Sequence, residues 1–249
     1  MRLNRDKRIG RVLFVVEGSR TEFSILRKIF CELLQYEYIE KRRNRLDSFY
    51  SPRDEYSRVA VVNTRESNIK DITEESDYMD RIYDMLRSQY HFPVEKSAVY
   101  YLFDRDPLSN TNVQQIREYV RTLSDPYDNA GTVAGQLLLS YPSIESYIIS
   151  GFCENAHQLR MSLGRDAKQY IAQNREIQLN KITETTLLGA TAEFIHFLES
   201  EQLLWNIDDF APSSSEIFER QEQWYQIGEG YKIFSLLTLA FLQMGIIDL

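Results

Sequence analysis

The sequence predicts an α/β chain: a three-layer domain around a mainly parallel four-stranded sheet, followed by a helical C-terminal region. Two observations predict it. Over roughly the first 150 residues, four short apolar, β-branched or aromatic runs alternate with segments of helical spacing, the pattern of parallel βαβ units. From about residue 144 onward the strand signal stops and helical spacing continues. The expected division is a sheet domain over 1–150 and a helical appendage over 151–249 packed on it.

The elements follow in order. Residues 12–16 (Val-Leu-Phe-Val-Val) form a continuous apolar run, as a strand covered on both faces requires. Gly18-Ser19 makes a tight turn, and Thr21 is placed to cap a helix reaching about Tyr36. Its apolar stripe is Phe23, Leu26, Ile29, Phe30, Leu33 and Leu34. Residues 40–57 are polar and basic, contain Pro52, and read as a loop. Residues 58–63 read as the second strand, and 73–90 as a helix with Met79, Ile82, Tyr83 and Leu86 inward. Residues 97–103 are the third strand. Asn112 can cap a helix to about Leu123, and Gln136–Ser140 is the fourth strand. Pro142 is expected near the first turn of the next helix, where a missing N–H costs nothing. Segments 144–163, 165–180, 185–204 and 214–247 then read as helices, broken at Gly164, at 205–213 and at Gly228–Gly230.

Composition narrows the class. A chain of 249 residues hides roughly 70–75% of its unfolded surface, enough for a sizeable core. The two cysteines, Cys31 and Cys153, read as buried thiols; they exclude a disulfide scaffold and fit a reducing cytoplasm. The basic start has no long apolar stretch behind it, so no signal peptide is expected. The longest apolar stretch, 233–247, is too short to span a bilayer and reads as a buried helix. A net charge of −8 counts against a protein that coats nucleic acid through bulk charge. Two basic runs remain: Arg2, Arg5, Lys7, Arg8 and Arg11, then Lys41, Arg42, Arg43, Arg45 and Arg53. Each is either solvated surface or a local contact for a phosphate backbone.

Three acids carry the chemistry. Glu17 directly follows the first strand, and Asp104 and Asp106 follow the third. In open parallel sheets, ligands bind outside the carboxyl ends of the strands. If the two strands are neighbours, three carboxylates converge there, and oxygen ligands of this kind suit Mg²⁺ or Mn²⁺. The competing reading is structural: Glu17 serves the following helix, and Asp104 and Asp106 are turn residues before Pro107. Glu145 and Glu22 are further candidates, each also explicable as a first-turn acid favoured by a helix dipole. Arg20 and Arg105 flank the acids and are candidates for phosphate contact, as are Lys41, Arg42, Arg43 and Arg45 for a nucleic-acid backbone. His91, His157 and His196 show no ligand spacing to one another or to cysteine, which argues against zinc. No P-loop or Gly-x-Ser-x-Gly elbow is present.

The order Val16-Glu17-Gly18, then Phe103-Asp104-Arg105-Asp106, resembles the Toprim domain of topoisomerases, primases and several nuclease families. Val16–Glu22 is similar to the Glu-Gly-x-(x)-Thr-Glu opening of Toprim proteins in bacterial defence systems, the OLD-type and RloB-like groups. Ser140–Glu145 is similar to an Asn-Pro-x-x-Glu element of the RloB-like group, with Tyr141 in place of Asn. The resemblance covers residues 11 to about 150. It implies a Mg²⁺- or Mn²⁺-dependent nuclease whose ion is held by Asp104 and Asp106, with Glu17 a further ligand or the general acid/base, and Glu145 a further ligand. The ion would stabilise charge on the phosphoryl oxygens and lower the pKa of bound water. It also implies an anti-phage effector. OLD-type enzymes carry an ATPase in the same polypeptide; this chain has no P-loop, so a separate ABC-like ATPase partner is expected. DNA and RNA, tRNA included, stay open as substrates, as does a homodimer.

Two other readings compete. One is a non-catalytic, Toprim-fold regulatory or binding subunit of a defence complex. The other is a haloacid-dehalogenase-type phosphatase, which also uses Asp-x-Asp after a strand. There, however, the pair follows the first strand, and here it follows the third.

Overall fold

A computed structural model describes residues 1–42, 46–64, 69, 76–127 and 135–249. The chain divides into two compact units. A strand-rich unit holds Arg8–Leu102 and Leu123–Leu137. A helix-rich unit holds Met1–Lys7, Phe103–Thr122 and Leu138–Leu249. Among the described residues, twelve strands and eight α-helices are numbered in chain order below. The strand-rich unit is built on a mixed sheet.

In the strand-rich unit, β2 (Arg11–Val16) lies between β5 (Asp54–Asn63) and β6 (Ala98–Asp104), parallel to both. Val12–Val16 have no solvent exposure, which explains why the strand reads as an unbroken apolar run. Phe14 stacks on Tyr100 with ring centroids 5.4 Å apart. The described residues of the segment expected as a loop over 40–57 are instead largely strand: β3 (Glu37–Arg42) pairs antiparallel with β4 (Leu46–Ser51), and β4 with β5. Aromatic contacts hold it. Phe49 is fully buried, stacks on Phe30 at 5.9 Å, and meets Tyr38 edge-on at 5.7 Å. Pro52 falls in the turn between β4 and β5.

Thr21 is the first residue of α1 (Thr21–Arg27), not its cap. The helix widens into a π-helical stretch, Lys28–Leu33, and ends before Gln35, whose φ is +61°. Five members of the expected stripe are buried; Leu33 is half-buried. Helix α2 (Ser76–Tyr90) buries Ile82 and Leu86. The short strand β7 (Ser124–Asp125) pairs with the start of β8 (Gly135–Tyr141).

In the helix-rich unit, α3 (Val113–Thr122) starts as expected: the Asn112 Oδ1 accepts the Gln115 N–H at 3.1 Å. Helix α4 (Glu145–Phe152) begins three residues after Pro142, which follows a cis peptide bond, so the proline precedes the helix. Helices α5 (Gly164–Gln173), α6 (Glu184–Ser200), α7 (Ala211–Gln226) and α8 (Leu237–Gln243) complete the set. A Cβ on Gly151 would sit 2.8 Å from the Thr186 carbonyl oxygen, and one on Gly189 3.0 Å from that of Gly151. Helices α4 and α6 therefore cross backbone to backbone.

The helix-rich unit also contains short strands that the sequence reading did not anticipate. These are β9 (Arg160–Met161) with β10 (Tyr231–Lys232), β11 (Phe234–Ser235) against the end of β8, and β1 (Arg2–Leu3) with β12 (Ile247–Asp248). Phe234 is clamped between Phe194 and Phe197, at 5.1 and 4.0 Å. The buried helix expected over 233–247 is thus the strand β11, the buried short helix α8 and the terminal strand β12. Among the described residues no helix is long and apolar enough to cross a membrane.

Candidate functional site

Glu17 stands at the carboxyl end of β2, only 8% exposed. Its N–H donates to the Leu102 carbonyl at 3.1 Å, continuing the parallel register Val16↔Leu102. The condition set by the sequence, that β2 and β6 be neighbours, is met. Glu22 is also buried, and its Oε1 accepts the Gly18 N–H at 2.9 Å. A Cβ on Gly18 would lie 2.6 Å from the Glu22 Oε2, so the Glu-Gly pair reflects a carboxylate folded back onto its own loop. Arg20 is exposed at the N-cap of α1.

In the helix-rich unit, backbone donors aim the two aspartates. The Asp104 Oδ1 accepts the Ile144 N–H at 2.7 Å, at the amino end of α4. The Asp106 Oδ1 accepts the Leu108 N–H at 3.0 Å, and its Oδ2 accepts the Gly164 N–H at 3.0 Å, the first residue of α5. A Cβ on Gly164 would lie 2.8 Å from that Oδ2, so glycine gives the carboxylate room. Glu145 opens α4, is 6% exposed, and accepts the Ser143 hydroxyl at 2.8 Å. Helix amino ends favour negative charge, so all three acids sit where the backbone supports an anion. An ionised carboxylate has about four lone-pair sites, so the bonds accepted by Asp106 and Glu145 leave capacity for a cation.

Arg105, between the two aspartates, behaves otherwise. It is 1% exposed and meets Glu222 through two bonds of 2.6 and 2.7 Å. It also donates to the Asn110 carbonyl at 3.0 Å and lies 5.7 Å from the Tyr231 ring centre. Burial works against its charge, but the Glu222 carboxylate outweighs burial and raises the guanidinium's pKa above its ordinary value. Expected as a phosphate contact, Arg105 instead anchors the Asp-x-Asp loop from inside. Of the basic run, Lys41 and Arg42 belong to β3, while Arg43 and Arg45 lie outside the described residues. The first basic run is partly committed: Arg2 pairs with Asp248 at 3.1 Å and Arg5 with Glu184 at 2.5 Å.

One cluster escaped the sequence reading. His157 and His196 flank Glu193, and one ligand atom from each of the three lies within 4.8 Å of the others. The Glu193 Oε2 is 2.7 Å from the His157 Nδ1, and Glu193 also accepts the Asn155 and His157 N–H groups at 2.9 and 3.2 Å. Burial opposes ionisation of Glu193, but the His157 ring and these two donors outweigh it and hold its carboxyl below the usual range. Such a His-Glu-His group can hold a transition-metal ion. The only local signal was Glu193-x-x-His196, one turn apart on α6; His157 is 36 positions earlier than Glu193. The thiols are half-buried rather than buried, and burial pushes the Cys31 thiol up to about 11.

No family model, curated protein or solved structure matches this chain.

Proposed function

We propose that the chain is a Mg²⁺- or Mn²⁺-dependent nuclease of the Toprim type. In this reading Asp104 and Asp106 hold the ion, with Glu145 a further ligand. Glu17 is a further ligand or the general acid/base. The observation that carries the reading is the pairing of β2 with β6: the Glu17 backbone is bonded to Leu102, two residues before Asp104 in the chain. The acids that the resemblance requires therefore follow parallel, adjacent strands. Bound there, the divalent ion supplies charge stabilisation and an acidified water. Arg20, Lys41, Arg42, Arg43 and Arg45 supply cationic contacts to the DNA or RNA backbone. As an anti-phage effector in the cytoplasm, the chain would answer to a separate ATPase.

Cleavage of a panel of DNA and RNA substrates, tRNA included, tests this. Glu17→Gln and Asp104→Asn are expected to lower Mg²⁺-dependent cleavage on the order of 100-fold or more, with circular dichroism unchanged. Wild-type rates in both variants would refute the site.

A second reading, a non-catalytic binding subunit, is favoured by one observation: both Asp106 oxygens already accept backbone N–H groups. Titration with Mn²⁺ separates the two. No bound ion at millimolar Mn²⁺ supports the binding subunit.

A further inference from the structure

Among the described residues, two arginines of the strand-rich unit have no acid to balance them. Arg11 and Arg58 open the buried parts of β2 and β5 and are register partners across the parallel ladder. Both side chains are partly withdrawn from water, and the Nε of each is fully buried without a hydrogen-bond partner. Arg58 donates only at long range, to the His91 and Tyr90 carbonyls at 3.3 and 3.4 Å. Burial, and then the like charge of Arg11, lower the pKa of Arg58. Two guanidinium groups held side by side in this way repel each other, and an anion accepting from their terminal N–H groups relieves the repulsion.

They line a cavity of about 310 Å³ with Phe92, Pro93 and His91. Its remaining members, Arg87 and Glu95, are paired with each other, and Arg87 also with Asp84. Glu95, the one acid on the wall among the described residues, is therefore already neutralised. Cavities of this size suit small organic ligands rather than a bare ion. Guanidinium forks match phosphate oxygens, and the exposed His91 with the half-buried Pro93 offers a face for a planar group, Phe92 being buried beneath Arg58.

We propose that this cavity is a binding site for a small phosphate-bearing molecule, a nucleoside phosphate, with its phosphate on Arg11 and Arg58. It is a second site, independent of the acidic one. Arg11 begins the strand that Glu17 follows, so at a rise of about 3.3 Å per residue the two lie about 20 Å apart along β2. Small-molecule binding near the start of β2 fits a regulatory input rather than chemistry at its end.

Isothermal titration of the full chain in EDTA, with AMP, ATP, pyrophosphate, orthophosphate, adenosine and a short single-stranded oligonucleotide, tests the site. EDTA keeps the acidic residues free of ions, so failure of the nuclease reading and failure of this one are distinguishable. Saturable nucleotide binding is expected, weakened at least tenfold in Arg11→Gln and in Arg58→Gln, and retained in Asp104→Asn. Equal affinity for pyrophosphate would keep the arginine site and name the free anion as its occupant. Adenosine binding as well as AMP, nucleotide affinity unchanged in both arginine variants, or no saturable binding at millimolar ligand would overturn the proposal. An oligonucleotide bound far more tightly than AMP would assign the surface to nucleic acid and overturn it as well.

Discussion

Arg105 and Arg58 are both drawn away from water, and they differ in what they face. Arg105 meets a carboxylate fork and a carbonyl, so its charge is held in place. Arg58 meets two distant carbonyls, an aromatic ring and another arginine. The first arrangement is complete within the fold. The second is complete only with something added. Burial alone does not separate a structural cation from a ligand-seeking one; the charge beside it does.

Substitutions at three places break or sharpen that contrast, taken from the largest expected effect to the smallest. Glu222→Ala strands the Arg105 charge in the interior and is expected to cost about 3–5 kcal/mol in urea unfolding, whereas Arg105→Met combined with Glu222→Leu recovers most of that loss. Arg58→Met removes one of two repelling charges and is expected to change stability by no more than about 1 kcal/mol. A loss as large as that of Glu222→Ala would mean that Arg58 has a structural partner after all. Glu193→Gln probes a third balance. The Glu193 carboxyl is held below its ordinary value, so its contribution is full above the unfolded glutamate pKa near 4.3 and is lost as pH falls through the lower folded value. Melting temperature followed from pH 7 to pH 3 is expected to fall less in Glu193→Gln than in the wild type.

The contrast also explains what could be read in the sequence. Strands β2, β5, β6 and β8 were legible because strands buried on both faces read as unbroken apolar runs. The β3–β4 hairpin was not, because Glu37, Glu40, Lys41 and Arg42 give it the composition of a loop, and its aromatic contacts depend on pairing. Two-residue strands such as β10 and β11 have no period to detect. The positions of Glu17 and Asp104 at strand ends, with Asp106 two residues further on, were legible, because Glu17 and Asp104 directly follow their runs. Burial of Arg105 was not, because Glu222 is 117 positions away. Arg11 and Arg58 gain meaning only from a register that aligns them, and His157 and His196 only from the fold that brings them to Glu193.

The bare crossing of α4 and α6 has a consequence for the acids. Gly151 lies about 10 Å along the helix axis from Ile144, whose N–H aims Asp104. A methyl group at Gly151 or Gly189 would act as a wedge, and the lever it pushes ends at a carboxylate oxygen. Two hydrogen atoms in a helix seam therefore set the tolerance to which that oxygen is held.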